Sequence, residues 1–538
     1  MHRTWATLLS GMLLVLGAWF RIDQLPFHQN LWAIDWLGYY EEQARDLHNF
    51  NLLGYLFRWE GLHPPLSGIL HGGMSALGLG LPMHWAATVA AGLIAPLLLG
   101  LWATHTRSGL TLLLCCLWVA LSPLQANYGL NTTPYPWLLL LVAASSVTTL
   151  GLHHSSTARN FLVAGLLAAA AIQVHVLALA AIAAQGLFLL TRGPSFRPAR
   201  GRPAMRWWAP VLVSGALLCW NAISMTRDPW TFHVAEAEGG WLEQVLLALS
   251  SRFGEPRDKL LLVVITSVGL LLSLRPRTRL TAGLLIFEAA ACLAALALFF
   301  ELGVADPRLV HYYALPQLLL LAAAAQGWAE LAATAQKASL RWSFAALPLL
   351  LSLPWMHASW EWNQQRQLRA EQEIATSAGE QVRELFAAAG DGDVVAYLWD
   401  SSFLNDESDH LDPVAARWPT ARLGRPCFDV EMPPLHCNEH RGSHFFFAPN
   451  AHTGRDGDTT VPFSEMEESF RRMVNLSEAP GQARFIIAPG PEAAPRPWPM
   501  EAWFSTLGMT EESSLPGGLV VFALPVGARA EAPPPMHP

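Results

Sequence analysis

Residues Phe161–Leu190 read FLVAGLLAAAAIQVHVLALAAIAAQGLFLL, a run with no charged residue. A membrane span needs roughly 20 apolar residues, so this run is too long for one crossing. Gln173 and His175 stand at its middle. Polar side chains are costly at depth in a bilayer, and the run is expected as two helices divided at that pair. Comparable apolar runs lie on either side: Trp5–Phe20, Trp85–Ala103, Leu110–Leu124, Pro134–Leu152, Trp207–Ile223, Leu260–Leu274, Leu280–Phe300, Val310–Leu331 and Trp342–Met356. The fold class expected is an α-helical polytopic membrane protein of about 11 spans. His63–Gly80 is a weaker, glycine-rich candidate. It suits a juxtamembrane or re-entrant segment, which is tolerated where its backbone is satisfied by protein.

Composition divides the chain in two. Only 14% of its 538 residues are charged, against roughly 25% in soluble proteins. Residues 1–358 carry 21 Lys and Arg and 16 Asp and Glu, a net of +5. Residues 359–538 carry 13 and 26, a net of −13. The first part is the transmembrane domain, with a long loop at 21–62. The second is a polar domain at 359–529 followed by a Pro-rich tail at 530–538, expected to be disordered. Helical patterning at Glu361–Ala389 and Glu465–Val474, with strand patterning at Val394–Trp399, Arg484–Ala488 and Gly518–Leu524, makes this a small α/β domain. No nucleic-acid partner is expected of a chain this apolar and net acidic.

Loop arginines orient the membrane part, because basic residues stay on the cytoplasmic side. Arg192, Arg197, Arg200, Arg202 and Arg206 form one cluster. Arg275, Arg277 and Arg279 form a second, and Lys337 with Arg341 a third. All three share the inner side. The polar domain, the loop at 21–62 and the Asn127–Thr133 loop then lie outside. No small-residue cleavage site follows Trp5–Phe20, so this run is read as a retained first span. Cys115, Cys116, Cys219 and Cys292 fall in apolar runs. Cys427 and Cys437 lie ten apart in the polar domain; they are either a disulfide or two thiols, and outside the cytoplasm the disulfide is expected.

No Asp or Glu occurs from Gly61 to Arg227, whereas the first loop holds Asp23, Asp35, Glu41, Glu42, Asp46 and Glu60. Acid–base chemistry needs a positioned carboxylate or histidine. Asp35 lies among Leu31, Trp32, Ile34, Trp36 and Leu37, an apolar setting that suits a base or ligand. Arg58-Trp59-Glu60-Gly61-Leu62-His63-Pro64-Pro65-Leu66 combines two turn-fixing prolines with charges. These could hold a phosphate, or a divalent ion through Asp35, Glu60 and His63. In Asp306–Pro316, Arg308 and His311 are suited to an anionic head group. Glu288, inside a predicted span, must face protein or water.

These stretches, in this order, resemble the GT-C superfamily of membrane glycosyltransferases, which includes the protein O-mannosyltransferases and the aminoarabinose transferases of lipid A. Asp35 with Tyr39, Tyr40, Glu41 and Arg45 is similar to the family's acidic first-loop motif, with Trp36 where the second acidic residue usually stands. His63-Pro64-Pro65-Leu66 matches a second element. Thr133-Pro134-Tyr135 after Tyr128 matches a third, and Arg308–Pro316 a late Arg-Tyr-Pro element. The resemblance implies inverting transfer of a sugar from a polyprenyl-phosphate donor to a lipid, glycan or protein acceptor. It implies the outer side of a bacterial inner membrane as the place. In it Asp35, with Glu41, is catalytic, and Arg58, His63, Arg308, His311 and Tyr312 bind donor phosphate and lipid. Tyr40, Tyr128 and Tyr135 bind substrate, and a divalent metal is a possible cofactor. Two other classes share part of the pattern: a non-catalytic protein that binds lipid-linked sugars, and a transporter or flippase.

Overall fold

The computed structural model describes residues 3–23, 64–77, 79, 81–106, 109–120, 122, 124–125, 134–152, 155–192, 202–225, 256–301, 310–354 and 357, together with 394–398, 443–447, 483–487, 509–515 and 519–523. The described residues are mostly helical. Residues 83–364, with most of the chain before them, form one compact unit, and residues 365–538 belong to a second.

The helices of the first unit are α1 (Arg3–Asp23), α2 (Leu66–Ala76), α3 (Leu81–Thr106), α4 (Gly109–Ala120), α5 (Tyr135–Gly151), α6 (Ala158–Ile172), α7 (Ala178–Arg192), α8 (Arg202–Met225), α9 (Pro256–Ser273), α10 (Arg279–Glu301) and α11 (Ala314–Thr334). A further helix, α12, covers 338–354. Among the described residues two segments, Met83–Trp102 of α3 and Arg279–Phe299 of α10, are long and apolar enough to cross a membrane. Six others are apolar but shorter. Each expected span coincides with a helix. The weak candidate at 63–80 is α2, whose 11 residues extend about 16 Å at 1.5 Å per residue.

α11 is apolar on every face and is buried almost throughout from Ala314 to Ala329, as expected for a central helix. It packs against α9, α10 and α4. Its contact with α9 depends on glycine. A Cβ on Gly327 would collide with the carbonyl oxygen of Gly269, and Trp328 Nε1 donates to the carbonyl of Ile265 at 3.0 Å. The pairing of α6 with α8 is similar, since a Cβ on Gly165 would lie 2.6 Å from the carbonyl oxygen of Trp207. Large apolar side chains fill the core, among them Trp118 and Trp207, and others are exposed. On α1 the small residues Ala6 and Ser10 are buried, whereas Trp5, Met12, Val15 and Trp19 are exposed.

The long apolar run divides where its polar pair stands. α6 starts on Thr157, whose hydroxyl accepts from the Asn160 N–H, and ends at Gln173. The chain turns over 173–177 before α7 begins. Such a break leaves backbone groups without helical partners, and two of them are satisfied specifically. Leu66 N–H donates to the Gln173 carbonyl at 2.8 Å, and Leu177 N–H donates to His175 Nδ1 at 3.1 Å.

The second unit contains a five-stranded sheet of order β2-β1-β3-β5-β4, with β1 Val394–Leu398, β2 Ser443–Phe447, β3 Ala483–Ile487, β4 Thr510–Leu515 and β5 Leu519–Ala523. β1 is parallel to β2 and to β3. β3 and β4 run antiparallel to β5, and β4 is bulged between Glu511 and Ser513. Three of these strands are those expected. β2 and β4 are additional. The expected helices at Glu361–Ala389 and Glu465–Val474 lie outside the described residues.

Candidate functional site

The break at 173–177 is a junction. His175 is buried and fixed by the Leu177 N–H on its Nδ1. That bond makes Nδ1 the acceptor, so the neutral ring carries its hydrogen on Nε2 as a donor. The ring lies 5.0 Å from Tyr135 and 6.4 Å from Tyr312, between centroids. The two tyrosines meet edge-on at 6.2 Å, a favoured aromatic geometry.

Three separate stretches therefore converge. Tyr135 opens α5 between Pro134 and Pro136, and proline suits a helix's first turn. Tyr312 belongs to a short 3-10 turn, Val310–Tyr313, that leads into α11. Pro64 and Pro65 are buried and feed Leu66 onto the break. Beside the 3-10 turn, Gln125 Nε2 donates to the Ala314 carbonyl at 2.7 Å, and the Ser122 hydroxyl donates to Gln317 Oε1 at 3.1 Å. Gln125 is buried and its Oε1 has no hydrogen-bond partner.

A second polar group holds α2 in place. Trp137 Nε1 donates to His71 Nε2 at 2.9 Å. An indole nitrogen only donates, so the neutral His71 ring carries its hydrogen on Nδ1. That nitrogen lies 2.9 Å from His84 Nδ1, with the imidazoles stacked 5.2 Å apart. α2 is thereby tied to α3 and α5 through buried side chains.

Of the residues singled out from the sequence, Tyr135 and Tyr312 are brought together. His311 lies in the same 3-10 turn, and its side chain is outside the described set. Asp35, Tyr40, Glu41, Arg58, Glu60, His63, Tyr128, Arg308, Cys427 and Cys437 also lie outside the described residues. Among the described residues no group of three or more His, Cys, Asp or Glu is placed to hold a metal ion. His175 was legible only as an interruption, and Gln125 carried no local signal. Aromatic faces around an imidazole donor are groups that can pack against and hydrogen-bond a polyhydroxylated ligand. No family model matches the chain, and no curated protein matches it.

Proposed function

We propose that the chain is a polytopic membrane glycosyltransferase that moves a sugar from a polyprenyl-phosphate donor to an acceptor outside the bacterial inner membrane. The observation that carries this reading is the convergence at 173–177. Tyr135, Tyr312 and the residues after His63 come from three of the four stretches that resemble GT-C enzymes, and they meet at one point. Arginine-based orientation independently assigns all three to the outer side.

Membrane placement is supported by the close glycine contacts of α9 with α11 and of α6 with α8 and by the large apolar side chains exposed on α1, since helices in lipid gain from close small-residue contacts. α6 and α7, of 15 residues each, extend about 22 Å, short of a hydrocarbon core of roughly 30 Å. Their junction would lie below the outer surface, with α2 as the re-entrant segment docked on it. Leaving α2 uncounted gives eleven spans. The C-terminal sheet would belong to an extracytoplasmic α/β domain.

In the reaction, Asp35 takes the proton of the acceptor hydroxyl while that oxygen attacks the anomeric carbon. The bond from that carbon to the donor phosphate oxygen breaks, and the configuration inverts. Arg58, His63, Arg308 and His311 balance charge on the departing phosphate. Tyr135, Tyr312 and the His175 donor hold the sugar or its phosphate. Asp35, Glu60 and His63 are the residues that would hold a divalent ion, and no step depends on one.

The test is mass spectrometry of lipid carried through purification, combined with turnover of a polyprenyl-phosphate sugar in proteoliposomes. A bound polyprenyl-phosphate sugar is expected, with turnover falling about a hundredfold or more in Asp35→Asn, the range of a lost general base. A protein that binds no such lipid overturns the reading; full activity in Asp35→Asn removes Asp35 from it. A transporter is the second reading, favoured by the carboxyl of Glu288 inside the bundle. It requires solute flux across proteoliposomes without bond cleavage.

A further inference from the structure

Glu288 of α10 is fully buried and is the meeting point of three helices. The Ser146 hydroxyl of α5 lies 2.7 Å from Glu288 Oε2 and 2.8 Å from the Val142 carbonyl. Gln185 of α7 donates from Nε2 to the same hydroxyl at 3.3 Å. Its Oε1 accepts from Ser145 at 2.7 Å and from Thr149 at 3.2 Å. Ser145, Ser146, Thr149 and Gln185 are all buried.

Counting hydrogens exposes a deficit. An ionised carboxylate offers about four lone-pair sites. Besides the Gln185 amide that lies beside the carboxyl, Glu288 Oε2 is within reach of one hydroxyl, whose single hydrogen also serves Val142. Glu288 Oε1 has no hydrogen-bond partner. A buried charge is normally paired, and the packed helices supply no cation here. α5 brings only hydroxyls. The one basic residue of α7, Arg192, stands at its far end. The one charge on α11, Glu330, is engaged with Arg277 at 3.9 Å. Arg257, Asp258 and Lys259 lie in the first turn of α9. On α10 itself the nearest titratable group is Cys292, one turn along, whose sulfur lies 4.0 Å from the Leu177 carbonyl.

We propose that Glu288, with Ser146, Gln185 and the Val142 carbonyl, forms a buried binding site for one exchangeable monovalent cation, a proton or a sodium ion. The oxygens of the group are those of the carboxyl, the Ser146 hydroxyl and the Val142 carbonyl, since Gln185 turns its nitrogen to Ser146 and its oxygen to Ser145 and Thr149; such a set selects hard cations over soft transition metals. A single formal negative charge matches a single positive one, whereas a divalent ion would leave the interior charged. With a proton bound, the carboxyl donates to Ser146 Oγ and Ser146 turns its hydrogen to Val142, so the carboxyl and hydroxyl hydrogens both have acceptors. With sodium bound, the same oxygens serve as ligands. The site does not depend on the transferase reading.

Infrared difference spectroscopy of the purified full-length chain in nanodiscs tests it, perfused with choline or sodium buffer from mildly acidic to alkaline pH. Glu288→Gln assigns the carboxylic-acid band; should that variant misfold, isotope-labelled glutamate compared with Glu288→Asp assigns it instead. The expected result is loss of the Glu288 acid band and gain of carboxylate bands on alkalinisation, or on adding sodium at fixed pH. Loss with pH alone identifies a proton site, and loss with sodium identifies competition at the same oxygens. A Glu288 signal that responds to neither, whether acid or carboxylate, overturns the proposal and leaves a fixed structural hydrogen bond.

Discussion

At the scale of single residues, His175 combines two roles that substitution can separate. Its Nδ1 satisfies the Leu177 N–H at the break, and its ring touches Tyr135 and Tyr312. His175→Ala leaves a buried N–H unpaired and a cavity beside two tyrosines. The amide alone costs about 1–3 kcal/mol, so the detergent-solubilised chain should unfold at a clearly lower temperature. Asn restores a short acceptor that can bond a backbone N–H two residues on. His175→Asn should therefore recover most of the melting temperature while still losing donor-lipid binding. Equal recovery of both would make His175 purely structural. The sequence revealed this position as a polar interruption because thirty apolar residues exceed one span. It did not reveal the aromatic partners, which lie 40 and 137 positions away. Gln125 was illegible for the same reason: its bond runs to Ala314.

Among the elements, helix identity was legible because apolar runs of span length have few alternatives, and the ends fall within a few residues of the run ends. Strand identity was not uniformly so. β5 carries its own signal in Leu519-Val520-Val521-Phe522. β4, Thr510-Glu511-Glu512-Ser513-Ser514-Leu515, is polar and has little intrinsic strand preference; it is a strand because β5 pairs with it at the sheet edge. Helix–helix contact was also hidden, since glycine in an apolar run looks alike whether or not a neighbour presses on it. The structure separates two cases. A side chain at Gly327 meets the backbone of Gly269, while one at Gly215 meets nothing within 4 Å. Gly327→Val should cost about 3 kcal/mol or more by overpacking α9 against α11. Gly215→Ala should stabilise by about 0.5–1 kcal/mol through helix propensity alone. Thermal unfolding of the two variants in one detergent checks both signs, and equal shifts would contradict the described α9–α11 contact.

At the scale of the whole molecule, the question is which side each polar segment occupies, and α2 decides the count. Eleven residues give about half the length of a hydrocarbon core. The buried bonds among Trp137, His71 and His84 hold it against α3 and α5, and its first N–H docks on the α6–α7 break. A segment so short and so tied is suited to entering the bilayer without leaving on the far side. If α2 returns to the side from which it came, the arginine clusters before α8, before α10 and before α12 all face the cytoplasm, and residues 359–538 are exported. If α2 crosses, the segments on one side of it must invert, and the loop at 21–62 loses its common side with Tyr135 and Tyr312. The transferase reading cannot survive that inversion, because Asp35 would then face the wrong compartment. Reporter fusions at Gly201 and Pro413 should read cytoplasmic and exported respectively, and a third in the loop at 21–62 should read exported. A cytoplasmic signal from the first loop, with the other two unchanged, would show that α2 crosses and would separate Asp35 from the aromatic site while leaving the Glu288 group intact.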